Sequence, residues 1–157
     1  MYHHVASFGT YDLEARSRSV SQGTLHTYLR HYPGWEEKIP GLATIRQRLP
    51  VDMQDLIKDI AYVNEKTSKM LLQKFDRITV TKTIRQILDE LESRLLQYLR
   101  DICAGHMGQP SIDTNGKSQL HIPLTPKQTL VIGVSSNQKL INGRPIRQLI
   151  TAYIRRR

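Results

Sequence analysis

The chain has a single cysteine, Cys103, in 157 residues. No intrachain disulfide can form, and no zinc site built on cysteine pairs is available. Long apolar runs are also missing. The longest clean one is "TLVIGV", residues 129–134, far short of the roughly 18 residues a membrane-spanning helix needs. The opening stretch "MYHHVASFGTYDLEA" lacks a basic segment followed by an apolar one, and it carries Asp12 and Glu14. Secretory and mitochondrial leaders are therefore not expected there. These absences predict an intracellular, soluble protein with no membrane span, cytoplasmic or within a nucleoprotein assembly. Aromatic residues make up only 6% of the chain, so a core must rest on Leu and Ile.

Proline and glycine are absent from residues 51–104, although the chain holds seven and nine of them. Without the two strongest helix breakers, this stretch is expected to be the most helical. Pro50 precedes it, Asp52 is placed to cap it, and Gly105 stands after it as a stop. A single helix of that length would run about 80 Å, so a break is expected. "RITVTK", residues 77–82, crowds four β-branched side chains together, which resist helix. Thr79 or Thr81 can cap a second helix. Two antiparallel helices are predicted, roughly 52–77 and 81–104.

The second of these carries Ile84, Leu88, Leu91, Leu95, Tyr98 and Ile102 in strict 4-3 alternation, a coiled-coil seam. On the first, Ile57, Ala61, Leu71, Phe75 and Ile78 share a heptad phase. Met53, Leu56, Ile60, Val63 and Met70 widen that stripe. The polar waist "NEKTSK", Asn64 to Lys69, reads as a solvated turn, or else as a place where Asn64 and Ser68 fix pairing register. So much apolar surface exceeds what one hairpin covers, and points to the rest of the chain or to another subunit.

Before the hairpin, Ser21 to about His31 reads as a short helix stopped by Pro33-Gly34, with Leu25 and Tyr28 packed inward. Gly41 to Leu49 reads as another, and Trp35 as a core anchor between them. After Gly105, "LHIPL" and "TLVIGVS" joined by "TPKQ" read as a β-hairpin with Pro123 at an edge. In "NGRPIRQLITAYIRRR", Asn142-Gly143 turns the chain and Pro145 suits the start of a helix. Ile146, Leu149, Ile150, Tyr153 and Ile154 then fall on one helical face.

Acid is the scarcest ingredient of the last third. Residues 105–157 hold eight Lys and Arg against Asp113 alone, whereas residues 51–104 hold nine of each sign. Most of the net charge of +9 thus sits at one end. Such a field attracts nucleic acid, anionic lipid or an acidic protein. Lys117, Lys127, Lys139, Arg144, Arg147, Arg155, Arg156 and Arg157 are the predicted polyanion-binding residues.

Motifs that carry chemistry are weak. "ARSRSVSQGTLHTYL", residues 15–29, has helix-turn-helix spacing, but the inward positions of the would-be first helix fall on Glu14 and Arg18. Burying two unpaired charges costs several kcal/mol. "NGKS", residues 115–118, resembles the end of a phosphate-binding loop, yet residue 111 is Ser where its first Gly should stand. Cys103 and His106 would straddle a helix end and a loop, and Cys103 reads better as a small core residue. Neither His3–His4 nor His26–His31 has the i, i+4 spacing that joins two imidazoles on a metal.

The sequence therefore predicts a mainly α, α+β fold: a long antiparallel helical hairpin, short N-terminal helices, a small β-hairpin and a C-terminal amphipathic helix. One domain is expected over 1–157, with short helices and loops in 1–50, the helical hairpin in 51–104, and the basic hairpin and helix in 105–157. The expected role is a non-enzymatic assembly or adaptor subunit without catalytic residues, metal or cofactor. Its interface with a protein partner or another copy would be Ile84, Leu88, Leu91, Leu95, Tyr98, Ile102, Ile146, Leu149, Ile150 and Tyr153. The alternative is a nucleic-acid-binding accessory protein that makes sequence-independent phosphate contacts.

Overall fold

The computed structural model describes residues 3–8, 11–15, 23–78, 80–103, 111–112, 118–134, 139–141 and 144–156. The fold is α+β. Along the chain run β1 (His3–Phe8), β2 (Tyr11–Ala15), α1 (Gly23–Lys38), α2 (Leu42–Arg46), α3 (Val51–Tyr62), α4 (Glu65–Asp76) and α5 (Lys82–Cys103). Five strands come after them: β3 (Ser111–Ile112), β4 (Ser118–Thr125), β5 (Gln128–Val134), β6 (Lys139–Ile141) and β7 (Arg144–Arg156). Two compact units form, Ser17–Leu95 and the combination of Met1–Arg16 with Leu96–Arg157. The division falls inside α5.

The first unit is helical. α1 buries Leu25, Tyr28, Leu29 and Trp35, the i, i+3, i+4 positions of one face plus the anchor expected at Trp35. It is interrupted at His31, whose φ of −128° and ψ of 25° are not helical. Pro33 explains the interruption: it lacks an N–H and its ring crowds the preceding turn, so the helix restarts from it. The expected stop is thus a kink. Gly41 then takes a φ of 84°, open to glycine without strain, and α2 starts.

The first arm of the expected hairpin is not one rod. It breaks at Val63, which is extended, and Asn64 caps α4 by accepting from the Thr67 N–H at 2.9 Å. The polar waist is therefore a turn and a helix start, since an Asn side chain competes with the helical backbone and favours caps. Asp52 accepts from the Met53 N–H in the first turn of α3. Thr81 accepts from the Ile84 N–H and begins α5, as its hydroxyl predicted. Met53, Leu56, Ile57 and Ile60 of α3, and Ser68, Leu72 and Phe75 of α4, are buried. Met70 points to solvent.

The second unit is a sheet. Its strands lie in the order β1-β2-β7-β5-β4-β3, and β6 also pairs with β7. β4 and β5 form the expected hairpin, with Thr125 opposite Gln128 around a tight turn, and Pro123 opposite Thr129. β3 meets β4 only at Gln119 and Ser118, so among the described residues Pro123 has no ladder partner on its outer side, where its missing donor costs nothing.

The expected C-terminal helix is corrected to β7, the longest strand. Ile146, Ile150, Thr151, Tyr153 and Ile154 are β-branched or aromatic, and they satisfy a strand as well as a helical face. The Asn142-Gly143 pair lies outside the described residues. Ile141 is paired with Arg144 across it, the two-residue spacing that such a pair favours in a hairpin. β7 then receives β5 along Leu149–Arg156 and, on its other edge, the parallel β2 at Ile146–Gln148. β1 and β2 are additions to the expected elements. Their residues include Glu14, which argues against helix-turn-helix geometry, and β2 occupies the place of that motif's first helix.

Candidate polyanion-binding surface

Of the predicted basic residues, Lys127 and Arg156 come together at one corner of the sheet, with Arg155 beside them on the other face. Lys127 sits in the β4–β5 turn, where its N–H donates to the Thr125 hydroxyl at 3.3 Å. Antiparallel pairing sets Gln128 opposite Arg156 and Thr129 opposite Arg155. Adjacent strands lie about 4.8 Å apart, so the turn lysine and the end of β7 are neighbours. Thr125, Lys127, Gln128 and Arg156 line a shallow depression of about 350 Å³. Arg155 follows the strand alternation onto the opposite face. Lys127, Arg155 and Arg156 are all exposed.

The sequence charge of this unit is one-sided. Met1–Arg16 with Leu96–Arg157 contains ten Lys and Arg and four Asp and Glu. An exposed guanidinium can fork onto an anion, and an ammonium can meet one as a point charge. Lys117 and Arg157 lie outside the described residues. Lys139, Arg144 and Arg147 belong to β6 and β7, but their side chains lie outside the description.

The predicted partner-facing residues have a different fate. Leu88, Leu91 and Leu95 are buried by the chain itself, at 2%, 0% and 0% exposure. Ile84, Tyr98 and Ile102 are half-buried. Ile84 and Ile102 share the seam's face but lie at the ends of α5. Ile87, Leu96 and Leu99 are buried as well, so the covered face is broader than a 4-3 seam. Leu149 is buried and Tyr153 half-buried on β7, while the side chains of Ile146 and Ile150 lie outside the description. The continuous helical face expected from Ile146 to Tyr153 does not exist, because alternate residues of a strand point to opposite sides.

A second polar cluster has no counterpart among the sequence expectations. Glu36 is held by Arg46 through both carboxylate oxygens, at 2.6 and 3.1 Å, and accepts from the Tyr28 hydroxyl at 2.6 Å. Arg46 also donates to Gln54 Oε1, and Gln54 donates to the Leu49 carbonyl at 2.7 Å. The Arg46 guanidinium lies over the Tyr32 ring, 5.5 Å from its centre. Burial, then the bond to Glu36, drives the Tyr28 hydroxyl above its ordinary range. Every polar group here is engaged in tying α1, α2 and α3 together, which is a structural task. No sequence spacing announces a pair ten residues apart across a loop.

Cys103 has its backbone at the end of α5 and its side chain outside the description, as has all of His106. Among the described residues, no three His, Cys, Asp or Glu side chains gather to hold a metal ion. No helix among them is long and apolar enough to cross a membrane. Compared with known protein families, curated proteins and solved structures, the chain matches none.

Proposed function

We propose that this protein is a non-enzymatic binding subunit whose basic sheet corner faces a polyanionic partner. The observation that carries the reading is the exposure of Lys127, Arg155 and Arg156 in a unit with ten basic and four acidic side chains. Phosphates are the simplest match, because contacts to them need cations and no base-reading element. The binding is sequence-independent. Fluorescence anisotropy with a labelled mixed-sequence oligonucleotide tests it. The triple variant Lys127→Gln/Arg155→Gln/Arg156→Gln is expected to bind about ten-fold more weakly. Equal affinity of the variant and the parent overturns the reading. A polyglutamate peptide that binds more tightly than the oligonucleotide at equal charge would redirect it to an acidic protein.

Association with other subunits draws support from α3. Val51 and Tyr62 are 72% and 68% exposed, and their spacing of three helical turns puts them on one face. This surface replaces the α5 seam, whose central leucines are occupied. Light-scattering mass at rising protein concentration tests association, and Tyr62→Lys is expected to reduce it.

A further inference from the structure

The kink of α1 collects groups that the proposed function does not use. Arg30, just before the kink, donates to the Ile60 carbonyl at 2.8 Å and the Ala61 carbonyl at 3.4 Å. Those are carbonyls of the last turn of α3, where orphan acceptors and the negative end of the helix dipole favour a cation. Arg30 thereby fastens α1 to α3. His26 lies one turn earlier on the same helix, and His31 is the kinked residue itself. Both rings are half-buried. His26 Nδ1 is buried without a hydrogen-bond partner, a setting for a neutral imidazole.

The charges around the rings favour neutrality. Arg30, on their own helix, acts on both, and His26 adds to the effect on His31. α3 presents its C-terminal carbonyls to Arg30. α4 contributes Glu65, which acts on His26 in the opposite sense. Burial, reinforced by Arg30, lowers His26 below its ordinary value of 6.5 and takes His31 down to about 4.

We propose that the kink of α1 is an acid-sensitive latch: His26 and His31 flank the guanidinium that ties α1 to α3, and their protonation opens that junction. Each ring takes up one proton from solvent, no covalent bond changes, and the Arg30 hydrogen bonds to the Ile60 and Ala61 carbonyls are released. Two added positive charges then stand half-buried beside Arg30, and exposure to water relieves them. Because both groups titrate lower in the closed form than in the open one, closure is fully stabilised above 6.5 and weakens as pH falls towards about 4.

Trp35 reports on the event. It is the chain's single tryptophan, four residues beyond His31 and 1% exposed. In the full chain without any polyanion, its emission is expected to shift reversibly to longer wavelength as pH falls from 6.5 towards about 4. The double variant His26→Gln/His31→Gln is expected to lose that shift. A transition that persists unchanged in this variant comes from other groups and overturns the latch. Histidine ring NMR on the parent chain gives a second readout that needs no variant to fold. Signals of His26 and His31 titrating at the ordinary 6.5 with Trp35 unmoved overturn it as well. Neither outcome bears on polyanion binding.

Discussion

Glu92 and Glu36 show how differently two carboxylates can be housed. Glu92, half-buried on α5, is pushed up to about 7, first by burial and then by Asp89, while Arg85 opposes. Its charged form is therefore disfavoured in the fold. The stabilising contribution of its neutral form is complete below the ordinary 4.5 and is lost as pH rises through 7. Glu92→Gln is expected to raise stability at about pH 8 by on the order of 1 kcal/mol, discounted for solvent access, with no gain in acid. Urea unfolding at two pH values checks it. Glu36 has both oxygens bonded and 11% side-chain exposure. Glu36→Gln breaks the pair and leaves Arg46 unneutralised, at an expected cost of about 2–3 kcal/mol. A smaller loss than Tyr28→Phe, measured in the same unfolding series, would contradict this account. The residue scale is the least legible from sequence. Leu25 and Tyr28 are readable as core from their helical spacing, and Trp35 as a large apolar anchor between two short helices. Glu36 and Arg46 find each other only through a turn at Gly41, and no linear pattern encodes that meeting.

Side-chain caps are local chemistry, yet of the two caps at Thr81 and Asn64 the sequence marks only the first. Thr81 and Asn64 both act within three residues of themselves. Asn64→Ala is expected to cost about 1 kcal/mol and to fray the first turn of α4, seen as faster amide exchange at Thr67. Unaltered exchange there would remove the cap from the explanation. The polar waist is visible in the sequence, yet its consequence for the first arm is not, since heptad phase continues through it. β7 is hidden for a complementary reason. Its pattern serves both periods, and pairing with β2, β5 and β6 selects the strand. β1 and β2 have no strong local signal, and β2 gains its place from residues more than a hundred positions away. The β4–β5 hairpin, by contrast, needs only its own turn and alternation, and it lies where the sequence places it.

At the scale of the molecule, the two units differ in charge balance as well as in secondary structure. Residues 17–95 hold thirteen basic and ten acidic side chains, while the sheet unit holds ten and four. Binding through Lys127, Arg155 and Arg156 is expected to weaken with salt, with a slope of about −2 in log affinity against log salt on a single strand. The triple Gln variant should flatten that slope, and a slope untouched by the substitutions would place the contacts elsewhere. The charge asymmetry is plain in the sequence because counting needs no fold. Which cations share a corner is not, since Lys127 and Arg156 meet only through the register of β5 on β7.

The sheet's middle is made late. β7 leaves the ribosome after every strand it joins, so β2 must wait through the synthesis of α1 to α5 for that neighbour, and β5 has β4 alone beside it until then. Helical segments whose contacts are nearby can settle during that interval, whereas the two strand pairs stay bare-edged and sticky. A chain truncated shortly before Arg144 would present those edges to any other unfolded polypeptide.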